Sequence, residues 1–250
     1  MYNTGLVSIS FRKHSPAEII AASRAAGLDC IEWGSDVHAP AGDPDTARDI
    51  AARMADAGLF TCSYGTYFRA GVHPAEGIYE YIRTARILGT DTLRIWAGDD
   101  FYAEYQKSGK KELFDAFRAL AAIGEKEGVT ICTECHVKTY NETLEGAREM
   151  FSEIDSPRFL TYWQPSQFKS VEDNLAYARA MAPKTTHIHV FQWRTPQVIK
   201  YPLSEGVEEW RDYLRCFEGD RCLLLEFMPD DRIETLGREA DTLREIIGGM

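Results

Sequence analysis

A chain of 250 residues, 44% hydrophobic and 27% charged, carries enough apolar material for a full core and has none of the composition of a disordered segment. Its net charge of −11, with no Lys/Arg-rich run, disfavours nucleic acid, whose phosphates need a basic stripe, and anionic membrane surfaces. No stretch approaches the roughly 18 to 20 apolar residues that span a bilayer, and Met1-Tyr2-Asn3-Thr4-Gly5 is not a basic region leading into an apolar one, so a cytoplasmic protein acting on a small molecule is expected.

From the N-terminus onward, short apolar runs rich in β-branched and aromatic residues alternate with amphipathic stretches of three- and four-residue periodicity. A strand over Gly5–Ser10 precedes a helix over Pro16–Ala26, and a strand over Leu28–Gly34 precedes a helix over Pro44–Ala57. Leu59–Gly65, Thr92–Ala97 and Val129–Cys135 read as the next three strands, followed by helices over Ile78–Leu88, Lys111–Glu127 and Asn141–Glu153. Arg158–Gln164, Thr186–Phe191 and Arg221–Phe227 complete the strands, with helices over Ser170–Met181, Val207–Phe217 and Ile233–Ile247. Local chemistry supports these boundaries. Ser15-Pro16 and Asp43-Pro44 each pair an N-cap with proline in the first turn, and Gly58 and Gly128 follow helix ends.

Eight β-then-α units averaging about 30 residues, with right-handed crossovers, close into a (β/α)8 TIM barrel, an α/β fold read here as a single domain over residues 1–250. An open doubly wound sheet would carry a glycine-rich phosphate turn after an early strand, whereas the first turn here is Ser10-Phe11-Arg12-Lys13-His14. The six cysteines read as reduced thiols, because Cys30, Cys62, Cys132 and Cys222 fall inside strand-like runs of a chain without an export signal. Cys132 and Cys135 form a C-x-x-C motif on a strand, not at the helix N-terminus that a redox pair favours.

In a parallel barrel the downstream strand ends converge on one mouth. Four side chains able to ligate a metal stand at or near such ends: Glu134, Gln164, His189 and Glu226. Two carboxylates, an imidazole and an amide oxygen suit Mn²⁺, Mg²⁺ or Co²⁺ better than a thiolate-rich structural zinc site, with Zn²⁺ an alternative. His187, one layer deeper, is the rival to His189. Proton abstraction next to a carbonyl is the chemistry such a site supports: one of Glu134 and Glu226 removes the proton, and the same or the other returns it. Other mouth candidates for substrate contact are His136, Arg94, Trp96, Tyr64 and His38. An inward Arg94 is expected to pair with a carboxylate such as Glu32 or Glu134, or to meet substrate. Trp96, Trp163 and Trp193 are candidates to stack on a substrate ring, and Phe101, Tyr102 and Tyr105 offer aromatic surface for a homo-oligomer.

The sequence resembles the xylose-isomerase-like TIM barrels that include sugar phosphate isomerases and epimerases. The resemblance runs through Thr133-Glu134-Cys135-His136, Tyr162-Trp163-Gln164-Pro165, His187-Ile188-His189-Val190-Phe191 and Leu225-Glu226-Phe227, with lesser likeness at Ile31-Glu32-Trp33-Gly34, Gly206 and Trp210. It implies a metal-dependent sugar isomerase or epimerase similar to the ketose 3-epimerases, in which Glu, Asp, His and Glu hold the metal and the two Glu exchange protons on opposite faces of a sugar carbon. Gln164 stands where that family usually has Asp, which makes the site one charge less negative. Gln167 lies where a substrate-binding His would be expected, and Arg194 is the candidate for the family's Arg. A lyase or dehydratase acting on a keto-inositol or 3-keto-glycoside is the runner-up, followed by a sugar-binding barrel without chemistry. A metallo-nuclease would need further His and Asp ligands and a basic face.

Overall fold

Strand edges in this protein close on themselves, because β1 (Tyr2–Val7) pairs with both β2 (Cys30–Gly34) and the last strand of the chain. The computed structural model describes residues 2–195 and 199–250. Between β2 and closure lie β3 (Phe60–Arg69), β4 (Thr92–Trp96), β5 (Thr130–Glu134), β6 (Phe159–Trp163) and β7 (Thr185–Val190). A two-stranded antiparallel ribbon, β8 (Gln192–Arg194) with β9 (Ile199–Tyr201), follows β7, and β10 (Arg221–Leu225) completes an eight-stranded parallel barrel. This is a single-domain α/β TIM barrel, as the repeat pattern predicts.

Alternation along each strand sorts side chains into two layers. Outward residues such as Ile31, Trp33, Ile131, Trp163, Ile188 and Leu225 join the large core beneath the surrounding helices, whereas Val7, Ile9, Cys30, Cys62, Cys222 and Leu224 form a smaller cluster inside the barrel. The helices begin and end where local chemistry directs. Ser15 and Glu18 make a reciprocal capping box, Asp43 accepts from the Thr46 amide, and Gly58 and Gly128 close helices at φ 69°, a conformation that glycine adopts without steric cost.

Three departures from the sequence pattern bear on the site. The first strand lies earlier than Gly5–Ser10, because Tyr2, Asn3 and Thr4 pair with β10 while Ser8–Phe11 form a 3-10 turn whose Ser8 and Ser10 hydroxyls accept from the Gly34 and Phe227 amides. β3 runs on past Gly65 to Arg69 and carries a bulge opposite the Ile31/Glu32 step of β2. The helix expected over Asn141–Glu153 starts at Leu144, after a short 3-10 turn over Tyr140–Glu142.

Candidate active site and metal centre

β2, β4, β5, β7 and the end of β10 deliver one charged cluster to the barrel mouth. Arg94 on β4 is 2% exposed and lies between two carboxylates. Its Nε donates to Glu32 Oε1 at 2.9 Å, and a terminal nitrogen donates to Glu134 Oε2. Glu134 Oε2 also accepts from Trp96 Nε1 at 2.7 Å, and Glu32 Oε2 accepts from the Ser63 hydroxyl at 2.8 Å. His189 stands at the centre. Its Nδ1 lies 3.1 Å from Gln164 Oε1, 3.4 Å from Glu134 Oε1 and 3.5 Å from Glu226 Oε2, while its Nε2, 3.7 Å from Glu32 Oε1, is buried without a hydrogen bond.

The charges set one another. Burial would raise Glu32, yet Arg94 and His189 hold it down at about 2, and the same two partners keep Glu134 well below the usual carboxylate range. Burial would lower His189, but Glu226, Glu134 and Glu32 overcome it and hold the imidazole well above its ordinary value. Arg94 is held charged by Glu134 and Glu32 despite its burial.

Ligand atoms of Glu134, His189 and Glu226 all lie within 4.8 Å of one another, and the Gln164 oxygen borders the same space. With His189 neutral, three carboxylates against one guanidinium leave two negative charges in a buried space, which a divalent cation would neutralise in place of the imidazole proton. The donor set of carboxylate, amide and imidazole fits Mn²⁺, Mg²⁺, Co²⁺ or Zn²⁺. A bound cation would reverse the electrostatic logic at His189, favouring the neutral ring.

Glu226 opens into a cavity of about 490 Å³, within the usual range for small-molecule sites. Its polar wall includes Gln164, Gln167 and His136, and its apolar wall includes Phe168, Phe191, Trp193 and Phe227. His136 stacks on Trp96 with ring centroids 4.9 Å apart. Phe227, immediately after Glu226, is held at φ 54°, a left-handed conformation uncommon for an aromatic residue, and its amide is fixed by Ser10.

The structure therefore brings Glu134, Gln164, His189, Glu226, Arg94, Trp96, His136 and Gln167 to one mouth. Three sequence candidates lie elsewhere. Tyr64 points outward, because the bulge turns Cys62 and Ser63 both toward the interior and reverses the alternation; its hydroxyl donates to Ala39 O at 2.5 Å within the helix layer. His38 packs edge-on against Trp33 with Nδ1 3.1 Å from the Ser8 hydroxyl, and burial lowers its pKa. Arg194 sits on the exposed ribbon, its guanidinium 4.7 Å from the Tyr201 ring and bonded to the Glu205 carbonyl, beside a neighbouring groove. His187 is one layer below His189 and stacks on Tyr162 at 4.8 Å. Sequence reasoning missed Arg69, whose guanidinium lies 3.8 Å over Trp96, and Tyr67, 5.9 Å from the same ring. Continued aromatic and β-branched residues through Thr66-Tyr67-Phe68 signalled the longer strand that carries them.

The chain belongs to the xylose isomerase-like TIM barrel family, whose model matches residues 20–247. No curated protein matches it significantly. Among solved structures it is similar to the probable 3-DHS dehydratase AsbF involved in petrobactin synthesis from Bacillus anthracis, with TM-score 0.83, 18% identity and coverage of 98% of this chain and 99% of that one. It is also similar to an L-ribulose 3-epimerase, with TM-score 0.71, 17% identity and coverage of 99% and 94%. A xylose isomerase-like TIM barrel protein from Mycobacterium smegmatis in complex with magnesium gives TM-score 0.73 at 12% identity, covering 99% and 97%. At these identities the similarity is one of fold.

Proposed function

We propose that this protein is a divalent-metal-dependent enzyme that moves a proton next to the carbonyl of a sugar-like substrate through an enediolate, as an isomerase or epimerase. The observation that carries this reading is the convergence of Glu134, Gln164 and Glu226 on His189 at the edge of a cavity that opens at the barrel mouth. A bound divalent ion would supply polarisation of the carbonyl and of a neighbouring hydroxyl.

The two carboxylates are not equivalent. Both oxygens of Glu134 are engaged, Oε2 by Arg94 and Trp96 and Oε1 toward His189, so its charge is fixed and its freedom to exchange a proton is small. Glu226 has His189 as its ion-pair partner among the described residues and faces the cavity. This division supports Glu134 as an anchor of the charged cluster and Glu226 as the group that takes and returns the proton. One mobile base favours return to the adjacent carbon, which is isomerisation, over the opposite-face return that epimerisation requires. His136, Gln167 and Trp193 would hold the hydroxyls and ring of the substrate.

Dehydration is the second reading, favoured by the same asymmetry. Glu226 would remove the proton, the electron pair would form a carbon–carbon double bond, and the β-hydroxyl would leave as water with the proton that Glu226 had taken, which restores the carboxylate. The high structural similarity to a probable 3-DHS dehydratase adds weight to it.

The test is incubation of the metal-loaded protein in D₂O with ketoses, keto-inositols and 3-keto-glycosides, followed by NMR and mass spectrometry. Deuterium next to a carbonyl with mass otherwise retained supports isomerisation, and loss of water with appearance of a conjugated enone supports dehydration. Bound metal without exchange or product across the panel would defeat both and leave a sugar-binding role.

A further inference from the structure

Beneath the charged cluster, three thiols from three strands meet inside the barrel. The sulfurs of Cys30 on β2, Cys62 on β3 and Cys222 on β10 all lie within 4.8 Å of one another, buried and free of disulfides. Their meeting depends on two local features. Gly5 on β1 leaves room, since a Cβ there would lie 2.6 Å from Cys30 Sγ and 2.7 Å from Leu224. The β3 bulge turns Cys62 inward.

A candidate fourth donor neighbours Cys222 on the adjacent strand, outside the 4.8 Å group that the three sulfurs form. His187 on β7 is the register partner of Cys222 and is 8% exposed, and neither ring nitrogen has a hydrogen-bond partner. Tyr162 stacks on the ring with planes 10° apart and fixes its orientation. A buried imidazole with both nitrogens unbonded is costly, and thiols packed merely as small apolar groups do not relieve that cost. We infer that Cys30, Cys62, Cys222 and His187 form a structural site for a thiolate-preferring cation such as Zn²⁺, separate from the oxygen-rich centre at the mouth.

The chemistry is balanced: three thiols lose three protons to solvent as three sulfur–metal bonds form, and neutral His187 donates a nitrogen lone pair. Such a site would tie β2, β3, β7 and β10 together about 7 Å below His189, the rise of two strand residues. Because it is enclosed, the ion would enter during folding.

The test is zinc-edge X-ray absorption on the whole protein purified from zinc-containing medium and dialysed against a chelator that strips the mouth. The expected result is one zinc per chain with about three sulfurs near 2.3 Å and one nitrogen near 2.0 Å, unchanged by Glu226→Gln and lost in Cys222→Ser. Refolding with Cd²⁺ should give a thiolate charge-transfer band. If a cysteine variant fails to fold, the wild-type absorption spectrum decides. Zinc surrounded by oxygen and nitrogen only, or a wild-type protein refolded with Cd²⁺ that shows no charge-transfer band, would overturn the assignment.

Discussion

Replacing Arg94 by Met should destabilise the metal-free protein by about 3 to 5 kcal/mol, the usual cost of removing one partner from a buried ion pair. Arg94 is 2% exposed and faces Glu32 at 0% and Glu134 at 3%, so neither carboxylate can turn to water when the guanidinium goes. Methionine fills much of the volume, so the loss reports charge and not a cavity. With a urea slope of about 2 to 3 kcal/mol per molar for a chain of this size, the unfolding midpoint should fall by roughly 1.5 M. The assay is urea unfolding at pH 7 with chelator present, followed by circular dichroism and tryptophan fluorescence together. Adding Glu32→Gln to Arg94→Met should restore about half of the loss, because one of the two stranded charges is removed. A single variant that loses less than about 1 kcal/mol, a surface-pair value, would refute the view that Arg94 is the counterion on which the mouth depends.

Further outcomes follow from the same geometry. Gln164→Asp should tighten metal binding by at least tenfold in competition titrations, since one added charge about 4 Å from a divalent ion is worth several kcal/mol before desolvation; unchanged affinity would remove Gln164 from the ligand set. The metal-free protein should keep the Glu32 contribution in full above the ordinary glutamate value of 4.5 and lose it as pH falls toward about 2, because the folded-state pKa is depressed. Thermal melts across that window should show the decline, and Glu32→Gln should flatten it. Tyr64→Phe should cost about 1 kcal/mol by stranding the Ala39 carbonyl while leaving turnover within twofold of wild type; a large loss of turnover would return Tyr64 to the cavity.

Much of this molecule is legible in its sequence, for identifiable reasons. Period-two runs alternating with period-3.6 stretches specify the barrel, and proline or glycine at the helix ends places boundaries such as Pro44–Ala57 and Ile78–Leu88 where they are found. Convergence of Glu134, His189 and Glu226 follows once the strands are known to be parallel and closed. What alternation could not supply is register. The bulge in β3 reverses the facing of Tyr64, and the 3-10 turn at Ser8–Phe11 buries His38 behind the mouth instead of within it. Glu32 is recognisable from sequence as a partner for Arg94, but its 3.7 Å approach to His189 is a cross-barrel distance that no local pattern encodes. Arg194 belongs to a ribbon, β8 with β9, that three-residue strands are too short to announce.

The division of labour between the two mouth glutamates is tested most directly by measuring metal content and solvent-deuterium exchange together in Glu134→Gln and Glu226→Gln, on whichever substrate the wild-type protein processes. The account predicts that Glu226→Gln, although its metal affinity falls, can still be loaded with metal in excess and then loses exchange by at least 10²-fold, the scale of one general base, while Glu134→Gln fails to load under the same conditions. Exchange that persists in metal-loaded Glu226→Gln, or Glu134→Gln that binds metal normally yet cannot exchange, would contradict it.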